Sequence, residues 1–297
     1  EIFIKQGSIN GFAKIVQATL YLYGKFGDEE KGLLDSLAFS AKVGRMDLFE
    51  EIYNGLYNDE SKGLFLSENE ERVLNYVIIG NLKGHRPQAA IDYILERKKE
   101  GKDVHPRTII SVSKALATMS TAIDDIYYYL AEKKISGESV PIEAVNVVLG
   151  ACSFGGHVDR AFDTSKAYEK LFGLKMDLFA YNCMLRVTAK KPSITAKDDV
   201  RAAIGLSLFE KMKDQGVQPN EETYFHLIQL LSLSQAVEEL LAVYKEMESS
   251  NIVPGEPIIR LSLPILRRYD LKKQVKECEE RLREIESAAA SNKISTK

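Results

Sequence analysis

Two stretches of this chain share one pattern at an offset of 35 residues, and this offset constrains the fold more than any other feature. LFEKMKDQGVQP ends at Pro219, and VYKEMESSNIVP ends at Pro254. A fixed period in this range is typical of repeat arrays, in which each repeat is one supersecondary unit stacked on its neighbours. Such arrays offer extended surfaces to a ligand or partner, so the offset favours a binding protein over an enzyme.

The most regular unit runs from Asn220 to Pro254 and predicts two helices joined by a short turn. Asn220 is a residue type that caps the start of a helix. Apolar residues from Tyr224 to Leu231 follow the spacing of one helix face, and those from Val237 to Met247 follow it again. The unit is therefore expected to be an antiparallel helix pair.

The same pattern continues, less regularly, over most of the chain. It predicts an all-α fold, an α-solenoid of stacked antiparallel helix pairs with repeats of about 35 residues. An insertion at residues 191–199 lengthens one repeat by about eight residues, and such insertions go to loops. The other expected parts are a leading helix in 1–27, about six repeats in 28–254, a capping helix pair in 255–286 and a flexible tail in 287–297.

Composition and charge narrow the classes of function. The 297 residues are 45% hydrophobic and 28% charged, and no apolar run reaches the roughly 18 residues of a membrane-spanning helix. The net charge of −3 argues against an extensive phosphate-binding surface but allows a local one. Cys152, Cys183 and Cys278 lie far apart, which predicts neither a disulfide framework nor a zinc site. No cofactor or metal is expected.

No sequence motif indicates an enzyme. The aspartate pairs at 124–125 and 198–199 could bind Mg²⁺, but each falls where a second helix begins, a position that favours acidic residues. No phosphate-binding glycine loop, nucleophile elbow or zinc-protease motif occurs. The run from Tyr127 to Tyr129 is the one aromatic run, and helical geometry requires at least one of its rings to be exposed.

The motifs of the repeats resemble the pentatricopeptide repeat family. The resemblance is carried by MDLFAYNCML and PNEETYFHLI at first-helix starts, by GHVDRAF, and by second helices ending in GVQP and NIVP. The alternative is the tetratricopeptide repeat, another helix-pair array, whose period is about 34 and whose signature includes Trp. This chain has no Trp and a period of 35, which favours the pentatricopeptide repeat.

The resemblance implies an organellar protein of mitochondria or chloroplasts that binds single-stranded RNA, one base per repeat. In that family the fifth residue of the first helix and the last residue of the repeat read the base. On this chain these positions fall on Asn146 with Asp177, and on Asn182 with Asn220. The neighbouring repeats depart from the pattern, because they offer Ser111 with Pro141, Phe225 with Gly255, and Arg260 in the cap.

Each of these residues also has a purely structural interpretation. Asp177 and Asn220 precede first helices, where either would act as an N-cap. Asn146 and Asn182 lie inside helices, where Asn is unfavourable, so they either contact a base or hydrogen-bond between helices. Basic clusters give phosphate-contact candidates, which are equally compatible with solvated surfaces: Lys190, Lys191, Arg267 and Arg268.

Two functions remain open. The first is a non-catalytic protein of organellar gene expression that binds single-stranded or ribosomal RNA weakly, or as part of a ribonucleoprotein. The second is a protein scaffold, a subunit of an organellar ribosome, polymerase or other large complex, with no direct RNA readout. Neither includes a membrane span or a small-molecule substrate.

Overall fold

The computed structural model describes residues 30–57, 68–190 and 198–294. Those residues form fourteen α-helices and one π-helical turn, and they contain no β-strand, which confirms the predicted all-α fold class. The chain divides into two compact units, the first built from residues 1–155 and 167–174, and the second from 156–166 and 175–297.

The first unit contains seven α-helices and the π-helical turn. The helices alternate between the first and second member of successive pairs. They are α1 (Glu30–Lys42), α2 (Met46–Tyr57), α3 (Glu70–Lys83), α4 (Pro87–Lys99), α5 (Pro106–Leu116), α6 (Ser120–Ile135) and α7 (Ile142–Gly155), followed by the π-helical turn Tyr168–Phe172.

The second unit contains the remaining helices, of which the first reaches into the boundary between the units. They are α8 (Val158–Ala167), α9 (Leu178–Ala189), α10 (Asp198–Asp214), α11 (Glu221–Leu233), α12 (Val237–Ser249), α13 (Glu256–Arg268) and α14 (Lys272–Ile294). Along the chain the described helices therefore follow one another as seven successive pairs.

Within each unit, first helices pack against the first helices of neighbouring pairs. In the first unit α1 packs on α3, α3 on α5, and α5 on α7. In the second unit α9 packs on α11 and α11 on α13. Most first helices also pack on the second helix of their own pair, as α3 does on α4 and α11 on α12. This stacking places equivalent positions of successive first helices side by side.

Left-handed residues at helix ends set the repeat period. The chain has positive φ at Gly137, Gly173, Gly216 and Asn251, each just after a second helix or its final π-helical turn. Glycine reaches this backbone region without the steric cost that a Cβ imposes, and Asn tolerates it better than most residues. The turn that follows starts the next first helix, so these positions recur with the repeat.

The apolar cores follow the repeats. In the second unit Phe209, Tyr224, Leu227 and Met247 are fully buried in one cluster, where the Phe209 and Tyr224 rings meet edge to face. A separate cluster in the last pair joins Ile259, Leu263, Leu266 and Cys278. Both helices of a pair thus contribute residues to each of these clusters.

Several expected boundaries can be compared with the structure. Helix α14 continues to Ile294, past residue 287 where the flexible tail is expected to begin, and the flexibility of that tail stays a prediction. The run of alanines at 288–290 favours the helix, because alanine has the highest helix propensity. The leading helix expected in 1–27 and most of the insertion at 191–199 lie outside the described residues.

Candidate nucleic-acid interface

Two of the four predicted RNA-reading residues cap first helices of the second unit. The Asp177 carboxylate accepts a hydrogen bond from the backbone N–H of Ala180 at 2.8 Å. Asn220 Oδ1 accepts from the Thr223 N–H at 3.0 Å, and Thr223 Oγ1 accepts from the Asn220 N–H at 3.1 Å, a reciprocal capping box. Such caps are worth about 1 kcal/mol each. The capping role is thus present at both positions, and RNA reading by them stays a prediction.

The side-chain amide of Asn182, a residue of α9, lies between α9 and α11, and both its oxygen and its nitrogen are hydrogen-bonded. The side chain is buried, its Nδ2 donates to Asn220 Oδ1 at 3.2 Å, and its Oδ1 accepts from Thr223 Oγ1 at 2.7 Å. The network ties two successive first helices together through groups that would be costly to leave unpaired. Asn182 thus makes the interhelix contacts that were the alternative to base reading.

Asn146 in the first unit is held in a similar way by a different partner. Asn146 is 4% exposed, and its Oδ1 accepts a hydrogen bond from the hydroxyl of Tyr168 at 2.6 Å. Tyr168 is fully buried and begins the π-helical turn, which ends at Gly173 in the left-handed region. The turn therefore brings the Tyr168 hydroxyl onto the amide of α7, in a place where water cannot replace it.

Replacing Tyr168 with phenylalanine should destabilise the chain by about 1–3 kcal/mol, because Asn146 Oδ1 would be left buried without this donor. Tyr181→Phe is the matched control, since its hydroxyl donates to Gln215 Oε1 at 3.0 Å and Gln215 is partly exposed to water. Urea unfolding of both variants checks the difference. Equal losses of stability would contradict the special role of the Tyr168 contact.

Three charged or polar side chains flank this network on α9 and α11. Arg186 Nε donates to His226 Nε2 at 3.1 Å, and Arg186 Nη2 donates to the Glu222 carboxylate. His226 Nε2 also lies 3.6 Å from the Glu222 carboxylate, and the buried His226 Nδ1 has no hydrogen-bond partner among the described residues. The His226 ring and the Arg186 charge hold the pKa of Glu222 below its ordinary value, against the opposing effect of partial burial.

The lowered pKa of Glu222 predicts a pH-dependent contribution to stability. A carboxyl whose folded pKa is depressed stabilises the fold above its unfolded pKa of about 4.3, and this contribution is lost as pH falls through the folded pKa. The difference in thermal stability between the wild type and Glu222→Gln should therefore be present near neutral pH and shrink in acid. Glu221→Gln, one residue earlier in α11, is the control, and thermal unfolding from neutral to acid pH is the measurement. A pH-independent difference would contradict the prediction.

The four predicted phosphate-contact residues differ in their surroundings. Lys190 ends α9, and burial, followed by the charge of Arg186, lowers its pKa. Arg267 forms an ion pair with Glu279 at 2.7 Å, whereas Arg268 is exposed and has no ion pair with a described residue. Lys191 lies outside the described residues. The structure does not bring Arg267 and Arg268 into the network of Asn182.

A cleft of about 420 Å³ opens between the first helices α3 and α5 of the first unit, and it was not predicted. Arg72 and Arg107 line it, are exposed, and form no ion pair with any described residue. Asn75 and Ser111 also line it, and Asn75 Oδ1 is buried without a hydrogen-bond partner in the described part of the chain. The cleft therefore combines two available cations with polar groups that can bond the edge of a base.

Hydrogen bonds and ion pairs of Glu71, which lines the cleft, hold its two helices together. Glu71 Oε1 accepts from the His105 N–H at 2.9 Å and from Thr108 Oγ1 at 2.8 Å, which ties α3 to the start of α5. Arg97 binds Glu71 at 3.1 Å and Glu70 at 2.7 Å. The basic run at the end of α4 is thus largely neutralised by these and similar pairs, whereas the two arginines of the cleft are not.

The remaining candidates have simpler outcomes. Tyr128 is 64% exposed, which confirms that one ring of the tyrosine run reaches solvent. Tyr129 instead donates to Asp92 at 2.5 Å, and Tyr127 packs against Phe172. No group of three potential metal ligands occurs among residues 30–57, 68–190 and 198–294. None of the helices described there is long and apolar enough to cross a membrane.

Comparison with known families identifies the repeat. The family described as the pentacotripeptide-repeat region of PRORP matches residues 131–293, more than half of the chain. A second family, described as pentatricopeptide repeat-containing protein, matches residues 82–168. The chain belongs to the pentatricopeptide repeat family. The predicted family is therefore confirmed.

One curated relative and several solved structures are similar to this chain. The mitochondrial pentatricopeptide repeat-containing protein At1g26460 of Arabidopsis thaliana is 24% identical over 171 residues, which are 56% of this chain and 25% of that protein. The chain thus spans about a quarter of the length of that relative. The crystal structure of the pentatricopeptide repeat protein PPR10 from maize matches with a TM-score of 0.50 at 16% identity, over 95% of this chain and 38% of that one.

The likeness to maize PPR10 shows the fold alone, an all-α solenoid of helix pairs. PPR10 in complex with an 18-nucleotide psaJ RNA element matches with a TM-score of 0.48 at 18% identity, over 95% of this chain and 39% of that chain.

Proposed function

We propose that this chain is a non-catalytic RNA-binding part of a mitochondrial pentatricopeptide repeat protein. It binds single-stranded RNA across the first helices of its first unit. The observation that carries the proposal is the cleft between α3 and α5, where Arg72 and Arg107 lie 35 residues apart and form no ion pair with a described residue. Cations on two successive first helices suit successive points of one extended strand.

The polar groups of the cleft suit weak, moderately selective contact with a base. Asn75 Oδ1, which is buried without a hydrogen-bond partner among the described residues, would accept a hydrogen bond once its side chain turns into the cleft, and the Ser111 hydroxyl can donate or accept one. Single-stranded RNA presents base edges to such groups. Most of the affinity would come from the two arginines, because phosphate contacts supply the sequence-independent part of binding. The protein would therefore bind weakly by itself, or more firmly within a ribonucleoprotein.

The proposed mitochondrial location of this chain is based on its similarity to the Arabidopsis thaliana relative. The name of that relative places it in mitochondria, and the similarity covers 56% of this chain. Family membership supports an organellar location in general.

A second candidate function, a protein scaffold, is favoured by the second unit. Its predicted reading positions are used internally, since Asn182 and Asn220 bond each other and Phe225 packs against the core cluster. Side chains that satisfy one another at these positions leave little for base recognition. The second unit would then contact protein subunits of a larger organellar assembly.

The test is binding of the purified chain to single-stranded RNA of about 20 nucleotides, from about 20 to 200 mM salt, with poly-U, poly-A and poly-C sequences. The expected result is binding that weakens linearly in the logarithm of salt. Absence of binding at the lowest salt would overturn the RNA proposal. In that case crosslinking of the chain in mitochondria to protein neighbours alone would support the scaffold.

A further inference from the structure

A cleft of about 490 Å³ lies between the second helices α12 and α14 of the second unit. Its residues recur at helical spacing on one face of each helix, so each helix presents a single side to it. The lining residues are Leu241, Tyr244, Lys245 and Glu248 from α12, Leu266 from α13, and Lys273, Gln274, Glu277, Cys278 and Arg281 from α14.

The floor of this cleft is apolar and uncharged. Leu241 and Leu266 belong to or pack against the core cluster of the last pair, and the Tyr244 hydroxyl lies 3.5 Å from Cys278 Sγ. Burial raises the pKa of the Tyr244 hydroxyl and of the Cys278 thiol, so both remain protonated near neutral pH. The floor therefore suits apolar side chains of a ligand.

The rim carries an excess of available positive charge. Lys245 on α12 and Arg281 on α14 have no ion pair with any residue that the structure describes. Lys273 pairs with Glu277 at 3.8 Å, which leaves Glu248 as the one carboxylate of the lining outside that pair. Each of the two helices thus places beside the apolar floor one cation that has no ion pair within the described part of the chain.

We propose that this cleft docks an acidic amphipathic helix of a protein partner. Apolar residues of the partner helix fill the floor, and its Asp or Glu side chains meet Lys245 and Arg281. A groove between two helices commonly binds a third helix. The bound helix places apolar side chains at positions i, i+3, i+4 and i+7 in the groove. RNA suits the cleft less well, because Glu248 and Glu277 repel phosphates and the lining holds no exposed aromatic ring for stacking.

The experiment uses two synthetic peptides of about 16 residues, each with leucine at i, i+4 and i+7. One peptide carries Glu on its polar face and the other carries Lys. Fluorescence anisotropy with the whole chain should show binding of the Glu peptide about tenfold tighter than that of the Lys peptide, because complementary charge selects the partner. Equal affinities, or no binding of the Glu peptide at millimolar concentration, would overturn the proposal.

Charge reversal locates the binding. The double variant Lys245→Glu/Arg281→Glu should lose the preference for the Glu peptide and gain one for the Lys peptide. The matched control is Lys272→Glu/Lys276→Glu, which makes the same charge change at exposed positions of α14 outside the cleft. An equal effect of the control would overturn the assignment to the cleft.

A titration of single-stranded poly-U with the same variants separates this inference from the proposed function. RNA binding should be equally weak or strong in both double variants, because they carry the same net charge. A selective loss of RNA binding in the cleft variant would assign the cleft to RNA and overturn the docking of a helix. Failure of the chain to bind RNA at all would affect the proposed function but not this one.

Discussion

Replacing Arg72 and Arg107 together with alanine is expected to weaken binding of single-stranded RNA about 30-fold at physiological salt, equivalent to about 2 kcal/mol. Both guanidinium groups line the cleft of the first unit, and neither forms an ion pair with a residue that the structure describes. Each phosphate contact to a single strand contributes about 0.7 to the slope of log K against log salt, so the double variant should lower the slope by about 1.4. Anisotropy titrations across a salt series measure both quantities.

The matched control for this variant is Lys83→Ala/Arg86→Ala. Both residues are exposed at the turn between α3 and α4, neither forms an ion pair with a described residue, and neither lines the cleft. The control removes the same amount of charge. Because it leaves the cleft intact, it should change the affinity for RNA far less and leave the slope of log K against log salt nearly unchanged. An equal loss in both variants would mean that overall charge, and not the cleft, sets RNA binding.

The helix pairs could be predicted from the sequence because local signals and the period agree. Asn220 marks a helix start, Pro219 and Pro254 mark the loops, and the second residue after a second helix recurs as Gly216 and Asn251 in the left-handed region. Each of these signals acts within a few residues of the chain. The end of α14 is difficult to place from the sequence, because small and charged residues are typical of both tails and exposed helices.

The roles of the predicted reading residues could not be settled by the sequence, because their partners are distant in it. Asn182 depends on Thr223, and Asn146 depends on Tyr168, which a π-helical turn places against it. No periodicity connects an amide on one helix with a hydroxyl on another. The structure shows that both amides are buried and bonded, so RNA reading by either requires exposure of an edge that the fold now uses.

The cleft arginines, in contrast, left a signal in the sequence. Arg72 and Arg107 are separated by the same 35 residues as Pro219 and Pro254, and applying that offset to the earlier repeats finds them. Runs of basic residues were a poorer guide, because Arg97 and its neighbours are paired with carboxylates from other helices. Charge on two successive first helices is more informative here than charge concentrated in one segment.

The largest effect on stability is expected from Gly44→Ala. Gly44 has φ of +72°, and a Cβ there would lie 2.8 Å from the backbone of Lys83 and Gly84, at the turn between α3 and α4. The left-handed conformation alone costs an alanine about 1–2 kcal/mol, and the forced separation of two backbones adds about 1–3 kcal/mol. We expect a total loss of about 3 kcal/mol in the free energy of unfolding, measured in urea.

Gly101→Ala separates the cost of the left-handed conformation from the cost of the close contact. Gly101 has nearly the same φ, +74°, but a Cβ added there would have nothing within 4 Å. Its loss should be only the conformational part, about 1–2 kcal/mol. Hydrogen exchange gives a local readout, since the Gly84 N–H bonds the carbonyl of Gly80 at 2.8 Å and Gly44→Ala should speed its exchange. Equal losses in the two variants would mean that the turns of α1–α2 and α3–α4 can separate at no cost. That result would contradict the inference that close packing between the two turns requires glycine at position 44.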